Sequence, residues 1–527
     1  MGLCMNQEEM RMMIKCKKRI SAAIVILLAC LATTSLFAAE PMADVDISYW
    51  VRDSLRIDPR VDAAKISVAS EQGIVTLAGT VDNLAAKQYA DLEAKKINGV
   101  QGVINEILVI PVWRSDADIR HAVKRRILDS AAITSEGIRV TVDDGRVTLL
   151  GEAPDWGEVQ QAGLLASEVT GVKKVTNDIV AVWQRERSDQ DIKKDAIAAL
   201  QRDVYLSGLP IVVDVKDGII SLTGSVGSAF ENDRAVQKVR WISNVKGVIS
   251  DFKIEAWENR GARREKVWPS DDALARAVKA ELDQDPYVTA SDISVRSNLG
   301  AVTLDGTVDS YYQALIAGQD ANNVVGVGWV INNLMVKGSN RSDWLIRDDI
   351  TFNLNTDYVL QGFQIEDKVK NGVVILTGEV NNGFEKYHAG DVAAGVLGVR
   401  KIINRISVNQ VGQERSDQMM TSDIVNGLHW NWTTLPVSDE IKVSVNNGIA
   451  TLKGVVDSWS QRREAERVAF RTAGIWAVNN RLTVSRYDTN YPWDQWFDKS
   501  IPAQWDPTYY PGHMWKYYDH PYLWDNS

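Results

Sequence analysis

A Leu-x-Gly pattern, followed about twenty residues later by Gly-Val or a close variant, occurs six times in this chain at a spacing of 72 to 82 residues. The Leu-x-Gly pairs are Leu77/Gly79, Leu149/Gly151, Leu222/Gly224, Leu304/Gly306, Leu376/Gly378 and Leu452/Gly454. The partner pairs are Gly99-Val100, Gly171-Val172, Asn244-Val245, Gly326-Val327, Gly398-Val399 and Gly474-Ile475. A fixed internal period indicates a repeat architecture. We therefore expect the 527 residues to form six copies of one small unit rather than three or four ordinary domains.

Each copy opens with a predicted amphipathic helix. Five copies begin with Ser-Asp, in which Ser is a favoured N-cap and Asp suits the positive end of the helix. These serines are Ser115, Ser188, Ser270, Ser342 and Ser416, and the first copy has Ala43 in their place. Apolar residues follow four, eight and twelve positions later, as in Ile119, Val123 and Ile127. This spacing predicts one apolar stripe along the helix.

The rest of each copy predicts two strands, a second helix and a last strand. Alternating apolar residues flank an Asn-Gly or Asp-Gly turn in four copies, and such dipeptides favour a hairpin. The Leu-x-Gly glycine is expected to end the second strand. A second helix, for example 88–96 or 464–473, then leads to the Gly-Val pair, whose glycine is a plausible residue just past the helix end. The order α-β-β-α-β predicts an α+β layer, a three-stranded mixed sheet covered by two helices.

These features together resemble the BON domain, a family named for bacterial osmotically inducible and nodulation proteins. The resemblance rests on the αββαβ order, Leu-x-Gly, Gly-Val, and an Asn in the last strand. That Asn is assigned to Asn105, Asn177, Asn332, Asn404 and Asn479, and the third copy has Ser250 instead. The resemblance implies a phospholipid-contacting role in osmotic or envelope stress protection.

The predicted boundaries follow from this pattern. Units 1 to 6 span 43–111, 115–183, 188–256, 270–338, 342–409 and 416–485, with a linker at 257–269. Residues 1–39 are predicted to be a signal peptide for export to the periplasm, because four basic residues precede an apolar run from Ile20 to Phe37. Two alternatives are an uncleaved membrane anchor and lipid attachment at Cys30. All three cysteines lie in this segment, so the remainder of the chain is expected to have no disulfides.

The last segment, 486–527, is an aromatic-rich tail with five Trp and five Pro. Five prolines exclude a continuous helix. One interpretation is that the tail covers apolar surface of the last units. The other is that it contacts a glycan, a protein or a membrane interface, where Trp and Tyr are favoured.

Charge limits the partners of the chain. Residues 1–39 hold five basic and two acidic residues of the 59 and 69 in the whole chain, so the remainder has a net charge of −13. That balance argues against nucleic-acid binding, which depends on phosphate neutralisation. Two local basic patches remain candidates for phospholipid contact, or are ordinary solvated faces. They are Arg120, Lys124, Arg125 and Arg126 with His121 in unit 2, and Arg260, Arg263, Arg264 and Lys266 in the linker.

An aromatic residue stands five positions after the Leu-x-Gly glycine in three units: Trp156, Tyr311 and Trp459. Each is either a ligand contact or a staple against the neighbouring unit. The six repeat glycines, Gly79, Gly151, Gly224, Gly306, Gly378 and Gly454, are expected to need a positive φ or a close backbone approach.

No catalytic constellation recurs among the units, and we expect neither a cofactor nor a metal. The five histidines do not fall in register, and no phosphate-binding Gly-rich motif with its Lys is present. The leading hypothesis is therefore a non-enzymatic periplasmic protein that binds phospholipid or other envelope components. The alternative is a multivalent adaptor that holds proteins or exopolysaccharide and uses the aromatic tail as its contact.

Overall fold

The computed structural model describes residues 42–58, 60–183, 186–255, 269–338, 341–409 and 415–484. The predicted signal segment, the basic linker residues Arg260, Arg263 and Arg264, and the aromatic tail lie outside these residues.

Six units of the same αββαβ order follow one another along the described chain. Unit 1 contains α1 (Asp44–Ile57), β1 (Ile66–Glu71), β2 (Ile74–Val81), α2 (Leu84–Lys95) and β3 (Gly102–Val109). Unit 2 contains α3 (Asp116–Leu128), β4 (Arg139–Asp143), β5 (Arg146–Ala153), α4 (Trp156–Ser167) and β6 (Lys174–Ala181). Unit 3 contains α5 (Asp189–Arg202), β7 (Ile211–Lys216), β8 (Ile219–Val226), α6 (Ala229–Arg240) and β9 (Gly247–Ile254).

The second half repeats this order. Unit 4 contains α7 (Asp271–Gln284), β10 (Ile293–Asn298), β11 (Ala301–Val308), α8 (Tyr311–Asn322) and β12 (Trp329–Val336). Unit 5 contains α9 (Asp343–Thr356), β13 (Ile365–Lys370), β14 (Val373–Val380), α10 (Gly383–Ala394), β15 (Lys401–Asn404) and β16 (Ser407–Val408). Unit 6 contains α11 (Asp417–Trp430), β17 (Lys442–Asn446), β18 (Ile449–Val456), α12 (Trp459–Arg471) and β19 (Ala477–Val484).

Each sheet is mixed, which confirms the predicted fold class. The first two strands of a unit pair antiparallel and the last strand pairs parallel with the middle one, as in β1-β2-β3. The parallel strand carries the predicted Asn opposite the Leu of Leu-x-Gly, and its amide donates to a carbonyl of the second helix at 2.6–3.0 Å. In unit 6 this residue is Asn480, which pairs with Leu452, so the assignment to Asn479 was wrong by one position.

The Ser and the Asp at the start of a unit accept hydrogen bonds from different parts of the backbone. The Ser hydroxyl caps its own helix, as Ser115 does by accepting from the backbone N–H of Asp118. The following Asp reaches the hairpin turn, where its carboxylate accepts two backbone N–H groups at 2.7–3.2 Å in every unit. The predicted stripe of three apolar residues below this cap is buried in all six units, which confirms it.

The repeat glycines lie inside the second strand, not at its end as predicted. In unit 1 the antiparallel ladder stops at Gly79, opposite Ile66, whereas the parallel ladder continues to Val81. All six glycines have φ between 117° and 147°, a region that side chains disfavour. A Cβ on Gly454 would overlap the carbonyl oxygen of Glu440. Because the glycine has no side chain, the backbone that leads into the first strand can lie directly against the second strand.

The second helices begin where the aromatic column at Trp156, Tyr311 and Trp459 predicts, although the helix of unit 1 starts before the residues 88–96 given as its example. They start at the fifth residue after the repeat glycine, one position after an Asn, Asp or Ser whose side chain caps the helix. The helix in unit 1 ends at Lys95, so Gly99 belongs to the loop that follows rather than to the helix end. Unit 3 replaces this glycine with Asn244, which adopts a φ of 70°. Asn tolerates that conformation better than most residues, so the fold is kept.

The six units pair in a nested order: unit 1 with unit 6, unit 2 with unit 5, and unit 3 with unit 4. In each pair a residue just past a first helix forms an antiparallel bridge with a residue just past the partner's second helix. The bridges are Ile97–Asn431, Ser130–Val396, Val169–Asp357 and Asp203–Val324. Two backbone hydrogen bonds flank each bridge, for example from Asn98 to Trp430 at 3.1 Å and from Trp432 to Lys96 at 3.2 Å.

Lateral contacts also join units 1, 2 and 3 into one cycle and units 4, 5 and 6 into another. In the first cycle, Leu84 of unit 1 packs in the core of unit 2, and the Trp156 indole of unit 2 donates to the Val245 carbonyl of unit 3. An ion pair between Lys95 and Asp233 joins units 1 and 3. In the second cycle, the Tyr311 N–H of unit 4 donates to the Val399 carbonyl of unit 5, and Phe470 of unit 6 lies beside Gly383 of unit 5. Arg462 of unit 6 lies over the Trp329 ring of unit 4. Two stacked triads, each a closed cycle, follow from these contacts.

The repeat glycine gives a direct test of this packing. We expect Gly454→Val to destabilise the protein by about 1–3 kcal/mol, because a side chain there is strained and meets backbone. Urea unfolding followed by circular dichroism measures the change. Gly338→Val is the matched control, since nothing lies within 4 Å of a Cβ at that exposed glycine. Equal unfolding midpoints for the two variants would show that the strand crossing does not require glycine.

Candidate functional site

A polar residue occupies the same sequence position in all six units, close to where the units meet. This position lies fifteen residues after the first-helix cap and is occupied by Asp58, Ser130, Asp203, Asp285, Asp357 and Asn431. In every unit its side-chain oxygen accepts the backbone N–H two residues later at 2.7–3.2 Å. This tight turn directs the chain from the helix into the inter-unit bridge.

Charged side chains from the helices fill the space between units 2 and 5. Arg126 is 2% exposed, and its guanidinium contacts the Asp357 carboxylate at 3.1 Å and donates to the Glu168 carbonyl at 3.1 Å. The other Asp357 oxygen lies 2.8 Å from His388 Nε2. A buried carboxylate shared by an arginine and a histidine holds the two units together, and losing one partner would leave a buried charge.

A different set of charges fills the space between units 3 and 4. Arg234 makes a bidentate contact with Asp203 inside unit 3, and Lys238 pairs with Glu281 across the junction. Burial is the largest influence on Lys238 and lowers its pKa to about 8. These charged groups contact one another inside the protein and so contribute to the assembly of units 3 and 4.

Exposed basic and apolar side chains occur on two paired helices, the first helices of units 2 and 5, α3 and α9. The helices run antiparallel, because His121 contacts Phe352 with ring centroids 5.9 Å apart and Arg125 pairs with Asp348 and Asp349. We use the name helix-pair face for the exposed residues Arg120, Lys124 and Leu128 of α3, Trp344 and Leu345 of α9, and Leu397 in the loop after α10.

Two polar contacts lie close in sequence to the apolar members of the helix-pair face. Arg341 pairs with Asp349 at 2.6 Å, and the Leu397 N–H donates to the Asp129 carbonyl at 3.0 Å. Leu128 precedes Asp129 and Trp344 lies three residues after Arg341, and these two side chains are 53% and 68% exposed. Burial, followed by the charge of Asp349, raises the pKa of Asp129 to about 6. An exposed Trp beside exposed leucines and basic residues is an unusual combination on a protein surface.

The structure separates the predicted contact residues into two groups. Arg120 and Lys124 are exposed on the helix-pair face, whereas Arg125 and Arg126 are engaged in ion pairs between units 2 and 5. Trp156 and Tyr311 are half-buried at the junctions within the two triads. Trp459 begins α12, and its side chain lies outside the described part of the chain.

Two features of the candidate site were not predicted from the sequence. The Asp, Ser or Asn fifteen positions after the helix cap recurs in the sequence. Its part in unit pairing is evident only from the hydrogen bond that its side chain accepts from the backbone N–H two residues later. Trp344 and Leu345 were visible as apolar residues off the predicted stripe, since the stripe runs through Ile346 and Ile350. An apolar residue off the buried stripe is a usable signal for a contact surface.

Neither a metal centre nor a membrane span is found among the described residues. Between 42 and 484, outside the gaps given above, no three His, Cys, Asp or Glu side chains form a group suited to a metal ion. Over the same residues, every helix is too short or too polar to cross a bilayer.

Comparison with known proteins identifies the unit. The sequence profile of the BON domain matches residues 43–111, 115–182, 188–256, 270–338, 342–410 and 416–486. The chain therefore belongs to the BON domain family.

Two curated proteins are similar over about a quarter of the chain. Osmotically-inducible protein Y of Escherichia coli (strain K12) is 28% identical over 145 residues, which are 26% of this chain and 72% of that protein. Outer membrane lipoprotein DolP of Haemophilus influenzae is 28% identical over 138 residues, which are 25% of this chain and 71% of that protein. A solved structure, the C-terminal domain of CdsD of Chlamydia trachomatis, is 18% identical and covers 42% of this chain and 100% of its own, but its TM-score of 0.11 carries no argument.

The buried ion pair between units 2 and 5 yields a prediction. Arg126→Met should destabilise the protein by about 3–5 kcal/mol, because it leaves the Asp357 and Glu168 carboxylates buried without their arginine. Arg120→Met, one helix turn and a half away on the exposed side, should stay within about 0.5 kcal/mol of the parent. Urea midpoints of both variants test this, and an unchanged midpoint for Arg126→Met would contradict a structural role for the pair.

Proposed function

We propose that this chain is a non-enzymatic binding protein of the bacterial envelope that docks on anionic phospholipid surfaces through the helix-pair face. The observation that carries the proposal is the combination on that face of exposed Trp344 and Leu345 with exposed Arg120 and Lys124. Tryptophan is favoured at the boundary between headgroups and acyl chains, and basic side chains are attracted to anionic headgroups.

The energetics favour contact through a local patch. Each basic group near an anionic surface contributes roughly 1 kcal/mol, and a buried apolar side chain adds about 1.5–3 kcal/mol. The net charge of −10 for the whole chain opposes long-range attraction to an anionic surface. Binding must then be short-ranged, with the helix-pair face turned toward the lipid.

The relatives support the cellular setting of the proposal. One is named as osmotically inducible and the other as an outer membrane lipoprotein. For this chain we infer export to the periplasm and a part in osmotic or envelope stress protection. Binding of proteins or exopolysaccharide through the aromatic tail is the competing hypothesis, and the tail lies outside the described residues.

Vesicle sedimentation tests the proposal. The exported chain without residues 1–39 should bind phosphatidylglycerol vesicles at low salt and less at physiological salt. Arg120→Glu with Lys124→Glu should weaken binding by about tenfold or more, since two attractive charges become repulsive. Trp344→Ser should weaken binding at both salt concentrations, because it removes an apolar contact.

Matched controls separate the face from net charge. Lys174→Glu with Lys216→Glu makes the same charge change on exposed strand residues of units 2 and 3. Trp113→Ser removes a Trp that is 84% exposed outside the helix-pair face. Equal loss in the control and test variants would refute this face as the contact. Absence of vesicle binding by the parent chain in low salt would refute the lipid proposal and favour the adaptor.

A further inference from the structure

In five units an asparagine side chain closes the outer edge of the third strand. Its amide donates to a carbonyl of the second helix, and its side-chain oxygen accepts the backbone N–H two residues later at 3.2–3.3 Å. Among the described strands, the third strand pairs only with the middle one, so it forms an edge of its sheet. A backbone N–H that is already bonded cannot pair with a further strand, so this asparagine protects the edge.

Unit 3 lacks this protection. Ser250 replaces the asparagine in β9 and is exposed, whereas the five asparagines are half-buried or buried. The Glu255 N–H donates to the Val226 carbonyl of β8 at 2.8 Å. Because successive residues of a strand point to alternate sides in the plane of the sheet, the N–H groups of Ser250 and Phe252 point away from β8. Among the residues that the structure describes, the Phe252 N–H has no acceptor, so β9 presents an open edge.

The outer face of β9 carries two opposite charges at alternate positions. Asp251 and Lys253 are exposed, and Lys253 also contacts Glu255 of its own strand. Two antiparallel copies of β9 can be placed with Phe252 opposite Phe252 of the second copy. Asp251 of each copy then lies opposite Lys253 of the other, and the Cβ atoms of such opposite residues are about 4.5–5.5 Å apart. The strand is therefore complementary to itself.

The neighbouring registers do not share this complementarity. Moving the two-fold axis by one residue places Asp251 opposite Asp251, or Lys253 opposite Lys253. Like charges that lie directly opposite each other are destabilising, whereas opposite charges and aromatic pairs are stabilising. The register centred on Phe252 combines two charge pairs with one aromatic pair, so the side chains favour it over the registers beside it.

We propose that this protein forms a two-fold dimer in which β9 of unit 3 pairs antiparallel with β9 of a second copy, centred on Phe252. A two-fold interface uses the same surface on both copies, and a self-complementary strand meets that requirement. The pairing joins two three-stranded sheets across the axis. A pair of strands is a small interface, so the dissociation constant of the dimer is expected to be about 10–100 µM.

Sedimentation velocity of the exported chain without residues 1–39, at physiological salt and increasing protein concentration, tests the proposal. The parent should shift from monomer to dimer. Ser250→Asn should raise the dimer dissociation constant about tenfold, because the new amide oxygen accepts the Phe252 N–H in each copy. Ser250→Thr adds no amide and should dimerise as the parent does.

Exchange of the two charges tests the register. Asp251→Lys and Lys253→Asp should each raise the dissociation constant about tenfold or more, since two attractive pairs become repulsive. An equimolar mixture of these two variants should dimerise again, because every charge then faces its opposite across the axis. Asp178→Lys is the matched control, since it changes the corresponding exposed residue of unit 2 and should leave dimerisation unchanged.

Three results would overturn the proposal. The first is a parent that stays monomeric up to about 300 µM, above the expected dissociation constant. Slow hydrogen exchange of the Phe252 amide in that monomer would show that another segment of the chain covers the edge. The second is a dimer that Ser250→Asn does not weaken. The third is a mixture of folded charge variants, checked by circular dichroism, that dimerises no better than either variant alone.

Discussion

The assembly depends on a short backbone bridge that closes each pair of units. A side-chain oxygen of Asp, Ser or Asn accepts a hydrogen bond from the backbone two residues on, and this turn presents the neighbouring N–H and C=O groups to the partner unit. The partner supplies the matching groups just past its second helix. Backbone groups that leave a helix must find partners when they are buried, and here each unit satisfies those of another. A single copy would leave these groups without that interaction.

Backbone bridges are alike in every pair, so the side chains must specify which units meet. Each junction has its own chemistry: Arg126 with Asp357 between units 2 and 5, Lys238 with Glu281 between units 3 and 4, and Glu93 with Arg471 between units 1 and 6. Exchanging two units would place like charges together or leave a buried charge alone, and either outcome is costly. Buried ions in this protein thus distinguish units that share one fold.

Much of the fold could be predicted from the sequence because it is encoded locally. The Ser cap, the stripe through Ile119, Val123 and Ile127, and the repeat glycines act within one unit, and each leaves a pattern at a fixed spacing. The ends of the strands were harder to predict. At Gly79 the second strand stops pairing with the first strand but continues to pair with the third. The alignment of Asn480 was missed for a simpler reason: two asparagines are adjacent, and only the ladder distinguishes them.

The arrangement of the units, and with it the candidate site, could not be predicted from the sequence. Arg120 and Arg126 lie on one helix and have the same charge, yet one is exposed and the other is 2% exposed. The difference arises from α9, which is more than two hundred residues away in sequence. Likewise, Ser54 of unit 1 and Gly427 of unit 6 line one pocket, although 373 residues separate them in sequence. Such properties belong to pairs of units, and a single repeat does not contain them.

The nested pairing also sets the order in which the chain can become folded. Units 3 and 4 are adjacent in sequence, whereas the bridge from Ile97 to Asn431 spans 334 residues. The entropic cost of closing a loop rises with its length, so pairing from the middle outward replaces one long closure with a series of shorter ones. The first unit to leave the ribosome meets its partner last. Until synthesis reaches unit 6, the face around Trp50 and Glu93 has no counterpart, and a chain interrupted early carries that face unprotected.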